Sequence, residues 1–473
     1  MTSLSGPKTF FEKVWEQHAI VGLGDDTDLL QIDRLFLHDL SGSAAIRKLE
    51  ASGRRPDSNA QVFAVIDHLV SSRPGRGPDE TGSRGGGELI RDMRRLSRDY
   101  GITFFDSNDA LQGIVHVVSP ELGIALPGVT LVCGDSHTCT VGGVGALAWG
   151  IGASECEHVL ATQTLPQVRP KTMRVNLEGE LQTGVYAKDI ILFLIGVIGA
   201  NGGIGYAVEF AGPVIRSMPV EGRMTICNMA VEFQAKYGFV PPDDVTLAYL
   251  RGRPYAPEGE AWERAVAHWR SLSTDPDAAF DREVTINCSQ IEPQVTWGTS
   301  PQQVVGIGGR IPLPEEIGDA GARDMSQRAL DYIQLQAGRP IAGVPIDFAY
   351  IGSCTNARLS DLRAAADVLR GRKVADGIQA VCVPGSESVR AAAEAEGLHT
   401  VFLEAGFEWH QAACAMCSSG AADRVGGKRV ISTTNRNFEG RQGPGTRTHL
   451  ASPATVAASA IAGAIADVRQ LVG

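Results

Sequence analysis

Short continuous apolar runs alternate along this chain with longer segments whose apolar residues recur at helical spacing. The run at 346–351 predicts a buried strand, and the apolar positions of 359–369 lie on one helical face. A second strand and helix are predicted within 378–396, with the turn between them at Val383-Pro384-Gly385-Ser386. Repeated strand and helix units of this kind indicate an α/β fold built on parallel sheets.

The same patterns divide the chain into three predicted α/β domains. The first, 1–170, holds strand-like runs at 60–66, 114–118 and 129–133. The second, 171–288, has a strand at 172–177, an apolar helix starting at Tyr186, and a helix at 260–272 whose Trp262, Val266 and Trp269 share one face. The third, 289–473, adds strands at 398–404 and 429–432 and a final helix starting at Ser452-Pro453. No repeat or heptad interrupts this order.

Composition and charge exclude several classes of protein. The chain has 473 residues, a net charge of −11 and 43% hydrophobic residues, which is typical of a globular enzyme and gives no general attraction to nucleic acid. Its longest apolar run, 190–200, is too short to span a bilayer. The amino-terminal residues lack the apolar core of a secretory signal, so we expect a cytoplasmic protein without a membrane partner.

Residues 73–87 contain eight glycines and prolines and predict an irregular, mobile surface loop. A lid over a site and a tolerated insertion are both compatible with this composition. We favour the insertion.

Three of the nine cysteines have a spacing that suggests a metal centre. Cys354 follows the strand at 346–351 and precedes a helix, at the kind of turn where α/β sheets collect ligands. Cys414 and Cys417 form a CxxC pair, which alone is also compatible with a redox pair or half a zinc site. The other six cysteines are expected to be small buried hydrophobic residues. Three thiolates would leave one corner of an iron–sulfur cluster open, and an open corner allows chemistry.

Polar residues with proton chemistry and with anion-binding chemistry stand near predicted strand ends. Asp67-His68 and Asp135-Ser136-His137 each place a carboxylate beside an imidazole, and His116 lies between them in sequence. Structural Asp-His pairs are common, but two at strand ends favour a function. Arg436 and Arg441 follow the strand at 429–432 and are suited to gripping a dicarboxylate, although surface ion pairs are an equally good interpretation of their spacing.

Taken together, six motifs resemble those of the aconitase superfamily: 352–356 (GSCTN), 414–417 (CAMC), 134–138 (GDSHT), 226–232 (ICNMAVE), 294–299 (QVTWGT) and 435–443 (NRNFEGRQG). The resemblance runs from Thr9 to the final helix. Within the superfamily, the large subunits of the two-subunit dehydratases that interconvert 2- and 3-isopropylmalate in leucine biosynthesis are most similar.

This resemblance implies a fold, a cofactor and roles for individual residues. The fold would be three α/β/α domains around a shared cleft, and the activity a hydro-lyase reaction that proceeds by dehydration and rehydration. Cys354, Cys414 and Cys417 would hold a 4Fe-4S cluster whose fourth iron binds the substrate and a water. The acid network would comprise Asp67, His68, His116, Asp135 and His137. Contacts with the cluster-bound water or the substrate would come from Asn228 and Glu232, and substrate binding would also involve Asn435, Arg436 and Arg441.

The resemblance also implies a missing part of the active site. Single-chain members of the superfamily carry a serine base in a C-terminal swivel domain, and this sequence ends at Gly473 without one. We therefore expect a small partner subunit that supplies the swivel domain, the catalytic serine and much of the selectivity for a di- or tricarboxylic acid.

Some departures from the superfamily pattern leave the substrate open. Gln411-Ala412-Ala413 stand where Pro-Gly or a similar pair is common, and Ser418-Ser419-Gly420 follow the CxxC pair. A related enzyme acting on homoaconitate, citraconate or a specialised-metabolite precursor is one alternative. An RNA-binding regulator formed on cluster loss, and an electron-transfer iron–sulfur protein, are alternatives of other classes; the acidic charge disfavours the first and the open fourth ligand position disfavours the second.

Overall fold

The computed structural model describes residues 6–417 and 425–471, so the predicted departure at Ser418-Ser419-Gly420 lies outside the described residues. Its strands, in chain order, are β1 (Ala19–Gly24), β2 (Thr27–Gln31), β3 (Arg34–His38), β4 (Val62–Val65), β5 (Thr103–Phe105), β6 (Thr130–Cys133), β7 (Leu147–Gly150), β8 (Thr164–Val168), β9 (Lys171–Glu178), β10 (Tyr206–Ala211), β11 (Tyr237–Phe239), β12 (Arg282–Asn287), β13 (Gln294–Thr296), β14 (Val304–Gly306), β15 (Phe348–Ile351), β16 (Gln379–Cys382), β17 (Phe407–Trp409), β18 (Arg429–Ser432) and β19 (Arg447–Leu450).

The α-helices of the described residues are α1 (Phe10–His18), α2 (Gly42–Ala51), α3 (Gly86–Tyr100), α4 (Val115–Glu121), α5 (Ala153–Thr162), α6 (Ala187–Ile198), α7 (Pro213–Ser217), α8 (Val220–Asn228), α9 (Asp244–Leu250), α10 (Gly259–Ser271), α11 (Ala320–Ile333), α12 (Leu359–Leu369), α13 (Glu387–Ala395), α14 (Leu398–Ala405) and α15 (Pro453–Ala462). Short 3-10 helices at Ser136–Val144, Met229–Phe233 and Ala415–Cys417 carry site residues. No helix in the described ranges is both long and apolar enough to cross a bilayer.

Three parallel sheets form the framework. The first sheet has the order β5-β4-β3-β6-β7, the second β11-β10-β9-β12 and the third β17-β16-β15-β18-β19. In the first and third sheets the earliest strand is central and later strands add on both sides of it. This change of direction creates a switch point, and ligands bind at the carboxyl ends of the strands beside it.

Two predicted strands are helices. Residues 115–118 belong to α4 and Ile114 precedes it; this helix is buried along almost its whole length and therefore shows no alternation of polar and apolar positions. Its amino end is capped from another part of the chain, because the Val115 N–H donates to the carboxylate of Asp67 at 3.0 Å. Residues 398–404 belong to α14, in which the buried residues are Leu398, Phe402 and Ala405, at helical rather than alternating spacing.

The other predicted elements are present with small shifts in their ends. The helix at 359–369 and the strand at 429–432 have the predicted bounds, and Ser452 and Pro453 begin α15 as expected. Trp262 and Trp269 are buried in a T-shaped ring contact that holds α10 in place. These agreements all concern segments whose apolar period is clear in the sequence.

The division into domains remains a prediction. Each parallel sheet comes from one of the three predicted segments, but packing crosses the proposed boundaries. Trp262 and Leu272 of the second segment, and Phe348 and Tyr350 of the third, belong to the same buried cluster as Phe10 and the core of the first sheet. The three predicted segments therefore share one cluster of buried hydrophobic residues.

The loop at 73–87 lacks regular structure until α3 begins at Gly86, as predicted. It is not a simple surface insertion, because Arg76 is only 5% exposed. The Arg76 guanidinium donates to the carbonyls of Ser71, Ser107 and Ala412 at 2.7 to 2.8 Å. The loop is thereby fastened beside the CxxC segment.

Candidate active site

One cavity of about 180 Å³ brings the sequence motifs together between the first and third sheets. It is lined by His38, Leu40, His68, Gly134, Asp135, Ser136, His137, Cys354, Cys414, Cys417, Arg436 and Arg441. Residues 38, 68 and 134–137 follow β3, β4 and β6 of the first sheet, whereas the cysteines and arginines follow β15, β17 and β18 of the third. The two switch points therefore face one another across the cavity.

The three thiols stand on unusual backbone. Ser353, directly before Cys354, has φ of 84°, and Ala415, between Cys414 and Cys417, has φ of 47°. A side chain in the left-handed region costs on the order of 1 to 3 kcal/mol and persists where neighbouring contacts enforce it. One such contact is the hydrogen bond from the Cys414 N–H to the Asp67 carbonyl, at 2.7 Å. The strain turns the thiols toward the cavity.

Polar groups approach the sulfur atoms from the protein side. The Asn228 amide donates to Cys354 Sγ at 3.1 Å, and the Ser353 hydroxyl donates to Cys417 Sγ at 3.3 Å. The Asn435 amide lies 3.7 Å from Cys354 Sγ, and the Arg441 guanidinium 3.8 Å from Cys417 Sγ. Donors of this kind stabilise thiolates and metal-bound sulfur.

Burial and mutual contact separate the thiols electrostatically. Burial and the neighbouring Cys417 raise the pKa of Cys354, since a second anion is unfavourable nearby. The hydrogen bond from the Cys414 thiol lowers the pKa of Cys417, and the charge of Arg441 adds to this effect. Cys417 is thus the thiol most disposed to be anionic.

His68 connects two carboxylates at the edge of the first sheet. Its Nδ1 lies 2.6 Å from Asp67 Oδ1 and its Nε2 lies 3.0 Å from Asp135 Oδ2. Burial opposes a charged imidazole, but the charge of Asp67 and the hydrogen bonds to both carboxylates outweigh it and raise the pKa of His68 well above its usual value. These contacts therefore favour the protonated form of His68.

Asp135 and Glu232 hold a second imidazole. His137 Nε2 lies 2.7 Å from Glu232 Oε1, and the backbone N–H of His137 donates to Asp135 Oδ1 at 2.7 Å. Burial lowers the pKa of His137, but hydrogen bonds to Asp135 and Glu232 give a net rise. The pKa of Asp135 falls well below its usual value despite burial, because His116, His137 and His68 surround it.

The two predicted arginines reach the cavity by different routes. Arg436 Nε lies 2.9 Å from Glu232 Oε1, so this guanidinium is partly neutralised by a protein carboxylate. Arg441 lies beside the thiol of Cys417 and over the ring of Phe438, at 5.3 Å from its centroid. Both guanidinium groups line the cavity and can meet an anion there.

The remaining predicted site residues stand behind the cavity wall. Asp67, His116, Asn228 and Asn435 are fully buried and touch lining residues, and Glu232 acts through His137 and Arg436. His116 Nε2 is 3.4 Å from Asp135 Oδ1, but neither ring nitrogen makes a hydrogen bond with a described residue. His116 therefore contacts Asp135 without orienting it.

His38 and Asp39 are site residues that sequence reasoning missed. The His38 ring stacks on His68 with centroids 4.1 Å apart, and the Asp39 carboxylate accepts from the backbone N–H groups of His68 and Leu69 at 3.0 and 2.8 Å. The sequence held a signal for both, since His38-Asp39 end a buried strand just as Asp67-His68 do. Applying the same rule to β3 would have found them.

Known proteins resemble the chain over nearly all of its length. The model of the aconitase family (aconitate hydratase) matches residues 12–463. The 3-isopropylmalate dehydratase large subunit 1 of Bradyrhizobium diazoefficiens is 56% identical over 466 residues, covering 98% of this chain and 97% of the relative. Aconitase X of Thermococcus kodakaraensis, a crystal structure in the holo form, aligns with a TM-score of 0.45 and 14% identity over 86% of this chain and 84% of that one. On the family match and the 56% identity, the chain belongs to the aconitase family.

Proposed function

We propose that this chain is the iron–sulfur subunit of a hydro-lyase that isomerises 2-isopropylmalate to 3-isopropylmalate by dehydration and rehydration, a step of leucine biosynthesis. One observation carries the proposal: thiols, imidazoles and guanidinium groups line a single cavity. The relative from Bradyrhizobium diazoefficiens, which aligns with 98% of this chain, is a 3-isopropylmalate dehydratase subunit, and this supports the choice of substrate. The predicted cytoplasmic location is part of the same proposal.

Membership of the aconitase family implies a 4Fe-4S cluster, and the side chains of this site fit one. Cys354, Cys414 and Cys417 share the cavity, and amide, hydroxyl and guanidinium donors point at two of their sulfur atoms. We assign these three thiols as its ligands. When bound, such a cluster supplies a Lewis-acidic iron with an open position.

The imidazoles at the edge of the first sheet supply the proton. A departing hydroxyl needs a proton, and the carboxylates around His68 and His137 raise the pKa of both imidazoles and so favour their charged forms. Asp135 keeps its negative charge throughout, because the surrounding imidazoles hold its pKa low. We propose Asp67 and Glu232 as the buried carboxylates that keep these imidazoles oriented and charged, and His116 as a further member of the acid network through its contact with Asp135.

The opposite wall binds the substrate's carboxylates. Arg436 and Arg441 present planar guanidinium groups, which form two hydrogen bonds with a carboxylate. On the same wall, the amides of Asn228 and Asn435 lie against Cys354 Sγ and would help to hold this ligand in place. A substrate that spans the cavity would have its hydroxyl between the imidazoles and the thiols.

The relative from Bradyrhizobium diazoefficiens is a large subunit, which implies a small-subunit partner. We propose that this partner carries the swivel domain and the serine that removes the carbon-bound proton. The described side chains that line the cavity are imidazole, carboxylate, thiol, hydroxyl and guanidinium groups together with Leu40. Among these described residues Ser136 is the one serine, and it lies beside His137 in the acid network. A partner serine would therefore complete the site from the open side.

The test is coexpression with a small-subunit candidate and an assay over 2-isopropylmalate, homoaconitate and citraconate. We expect turnover of 2-isopropylmalate by the complex and almost none by the chain alone. Full activity of the chain alone would contradict the two-subunit proposal, and preferred turnover of another acid would contradict the substrate.

A spectroscopic measurement separates this function from electron transfer. Adding 2-isopropylmalate to the reduced, reconstituted protein should change the electron paramagnetic resonance signal of the cluster, because substrate reaches an open iron. An unchanged signal in a cluster-loaded, active complex would contradict direct binding of substrate to iron.

A further inference from the structure

Lys188 is a buried ammonium that the roles assigned above do not use. It is the second residue of α6, and its side chain is 0% exposed. A cation in the first turn opposes the helix macrodipole, so this position does not benefit the helix. Taking an unpaired ammonium out of water costs several kcal/mol. Its location therefore requires another explanation.

The neighbouring carboxylate does not provide one. Asp189 is equally buried, but its oxygens accept from the backbone N–H groups of Tyr186 and Gln294 at 2.8 Å each. Burial raises the pKa of Asp189 to about 7, which weakens it as a counter-ion. Within the described residues, no carboxylate lies within ion-pair distance, 4.0 Å, of Lys188 Nζ.

The ammonium instead binds the loop that carries two site residues. Lys188 Nζ donates to the carbonyl of Thr433 at 2.9 Å and to that of Thr434 at 2.6 Å. Asn435 and Arg436 come directly after these carbonyls. A helix behind the second sheet thus fixes the exit of β18 in the third sheet.

Further hydrogen bonds connect this loop to the segment that carries Cys354. The Thr433 hydroxyl donates to the Gly352 carbonyl at 2.8 Å and accepts from the Gly352 N–H at 2.9 Å. Gly352 and the strained Ser353 lead directly into Cys354. The loops after β15 and β18 are therefore one hydrogen-bonded unit, with Lys188 underneath it.

Charge complements this geometry. Burial lowers the pKa of Lys188 to about 7, and the charges of Cys417, Asp361, Cys354 and Asp189 oppose this fall. An anionic cluster held by three thiolates would favour the charged ammonium further, since opposite charges in a poorly solvated region attract strongly.

We propose that Lys188 is a positioning residue for the iron–sulfur site: its ammonium holds the Thr433–Arg436 loop in register through two carbonyl contacts and would add positive charge on the protein side of the thiols. This inference rests on the proposed function. It predicts that loss of the charge makes the cluster harder to reduce and loosens the grip of Arg436 on substrate.

The experiment compares Lys188→Met, Lys188→Arg and the surface control Lys171→Met with the unaltered chain, each reconstituted anaerobically. Iron content and the midpoint potential of the cluster are measured on the chain alone, and KM and kcat for 2-isopropylmalate on the complex with the small subunit. Lys188→Met should shift the potential to a more negative value and raise KM about tenfold or more. Lys188→Arg should restore the potential but not KM, because its planar fork cannot reproduce the two carbonyl contacts.

Equal potential and KM in Lys188→Met and the control would overturn the role of Lys188 while leaving the proposed function intact. If the unaltered chain takes up no cluster, both proposals fail. Should Lys188→Met not fold, Lys188→Arg decides alone, and an unchanged KM in that variant would refute the positioning role.

Discussion

The two walls of the cavity are held in place by different means. At the edge of the first sheet, His68 and His137 are fixed by carboxylates at 2.6 to 3.0 Å. At the edge of the third sheet, the sulfur atoms have contacts of 3.1 to 3.8 Å with mostly neutral donors. Left-handed backbone at the non-glycine residues Ser353 and Ala415 adjoins the thiols, whereas residues 67–68 and 134–137 have none. The wall at the first sheet, which carries His68 and His137, is thus held by its own ion pairs. The wall at the third sheet, which carries Cys354, Cys414 and Cys417, has only weak contacts at its sulfur atoms, which leaves them able to bind a cofactor.

This difference predicts that the two walls fail separately. Removing a thiol should abolish cofactor binding and leave the charged network intact. Removing a carboxylate from the network should leave the cofactor bound and slow the chemistry. Three variants test this separation, in order of decreasing effect, and a fourth tests the ion pair at the other end of the first sheet.

The largest effect is expected for Cys354→Ser. A serine hydroxyl does not replace a buried thiolate ligand, so iron per chain should fall close to zero. Loss of a Lewis acid worth several kcal/mol corresponds to a fall in activity of about 10³-fold or more. Iron and sulfide analysis with a turnover assay measures both. The control is Cys382→Ala, since Cys382 is the buried last residue of the neighbouring β16 and is not a proposed ligand. This variant should keep its iron. Loss of iron in both variants would mean that any buried cysteine is required.

Asp135→Asn should lower kcat by about 10² to 10⁴-fold with unchanged iron content, because three imidazoles lose the carboxylate they share. The measurement is kcat per iron-loaded site. Asp33→Asn is a matched control, since Asp33 also pairs with a histidine, His18 at 2.8 Å, but just before β3 at the other end of the same sheet. A similar loss of kcat in both variants would remove the distinction between the two ends.

Arg441→Lys should keep the cluster and lower kcat/KM by about 10 to 100-fold, because a point charge cannot replace a planar carboxylate grip. Steady-state kinetics and iron analysis together measure the result. The control is Arg447→Lys on β19, away from the cavity. If Arg441→Lys lost as much iron as Cys354→Ser, Arg441 would be required for cluster retention, and its role in substrate binding would lose its support.

The smallest effect concerns His18 and is a change in stability. Burial lowers its pKa, but the hydrogen bond and charge of Asp33 give a net rise. A raised pKa in the folded state contributes stability that is fully present below about pH 6.5 and is lost as pH rises through the folded value. His18→Gln should therefore cost about 1 kcal/mol at pH 6 and less at pH 9. Chemical unfolding at both pH values checks this, and a difference that grows with pH would show that the sign is wrong.

The position of Cys354, one of the proposed ligands, could be predicted because clear strand and helix patterns flank it. The strand ending at Ile351 and the helix starting at Leu359 were both recognisable, so the turn that carries Cys354 was fixed between them. Burial could not distinguish the ligands, since all nine cysteines are buried and free. Spacing and motif, not composition, carried that prediction.

Other features depend on contacts between distant segments and left no local signal. The helix α4 begins where the side chain of Asp67 caps it from 48 positions away, so His116 was assigned to a strand. In the sequence, Lys188 looks like an ordinary surface lysine. The fold brings it to the carbonyl of Thr433, which lies 245 positions away along the chain. The positive φ of Ser353 and Ala415 is also invisible, because neither residue type favours it.

The hydrogen bond from the Cys414 N–H to the Asp67 carbonyl, with a second from the Gln411 N–H to the Ser72 carbonyl, has a consequence for engineering. The segment bearing two of the thiols is attached to the backbone that bears the first acid pair. Expressing the third sheet by itself would remove the acceptors that shape the CxxC segment. We expect a minimal iron-binding fragment to need both sheets, and a split version of this chain to load iron only after its pieces have docked.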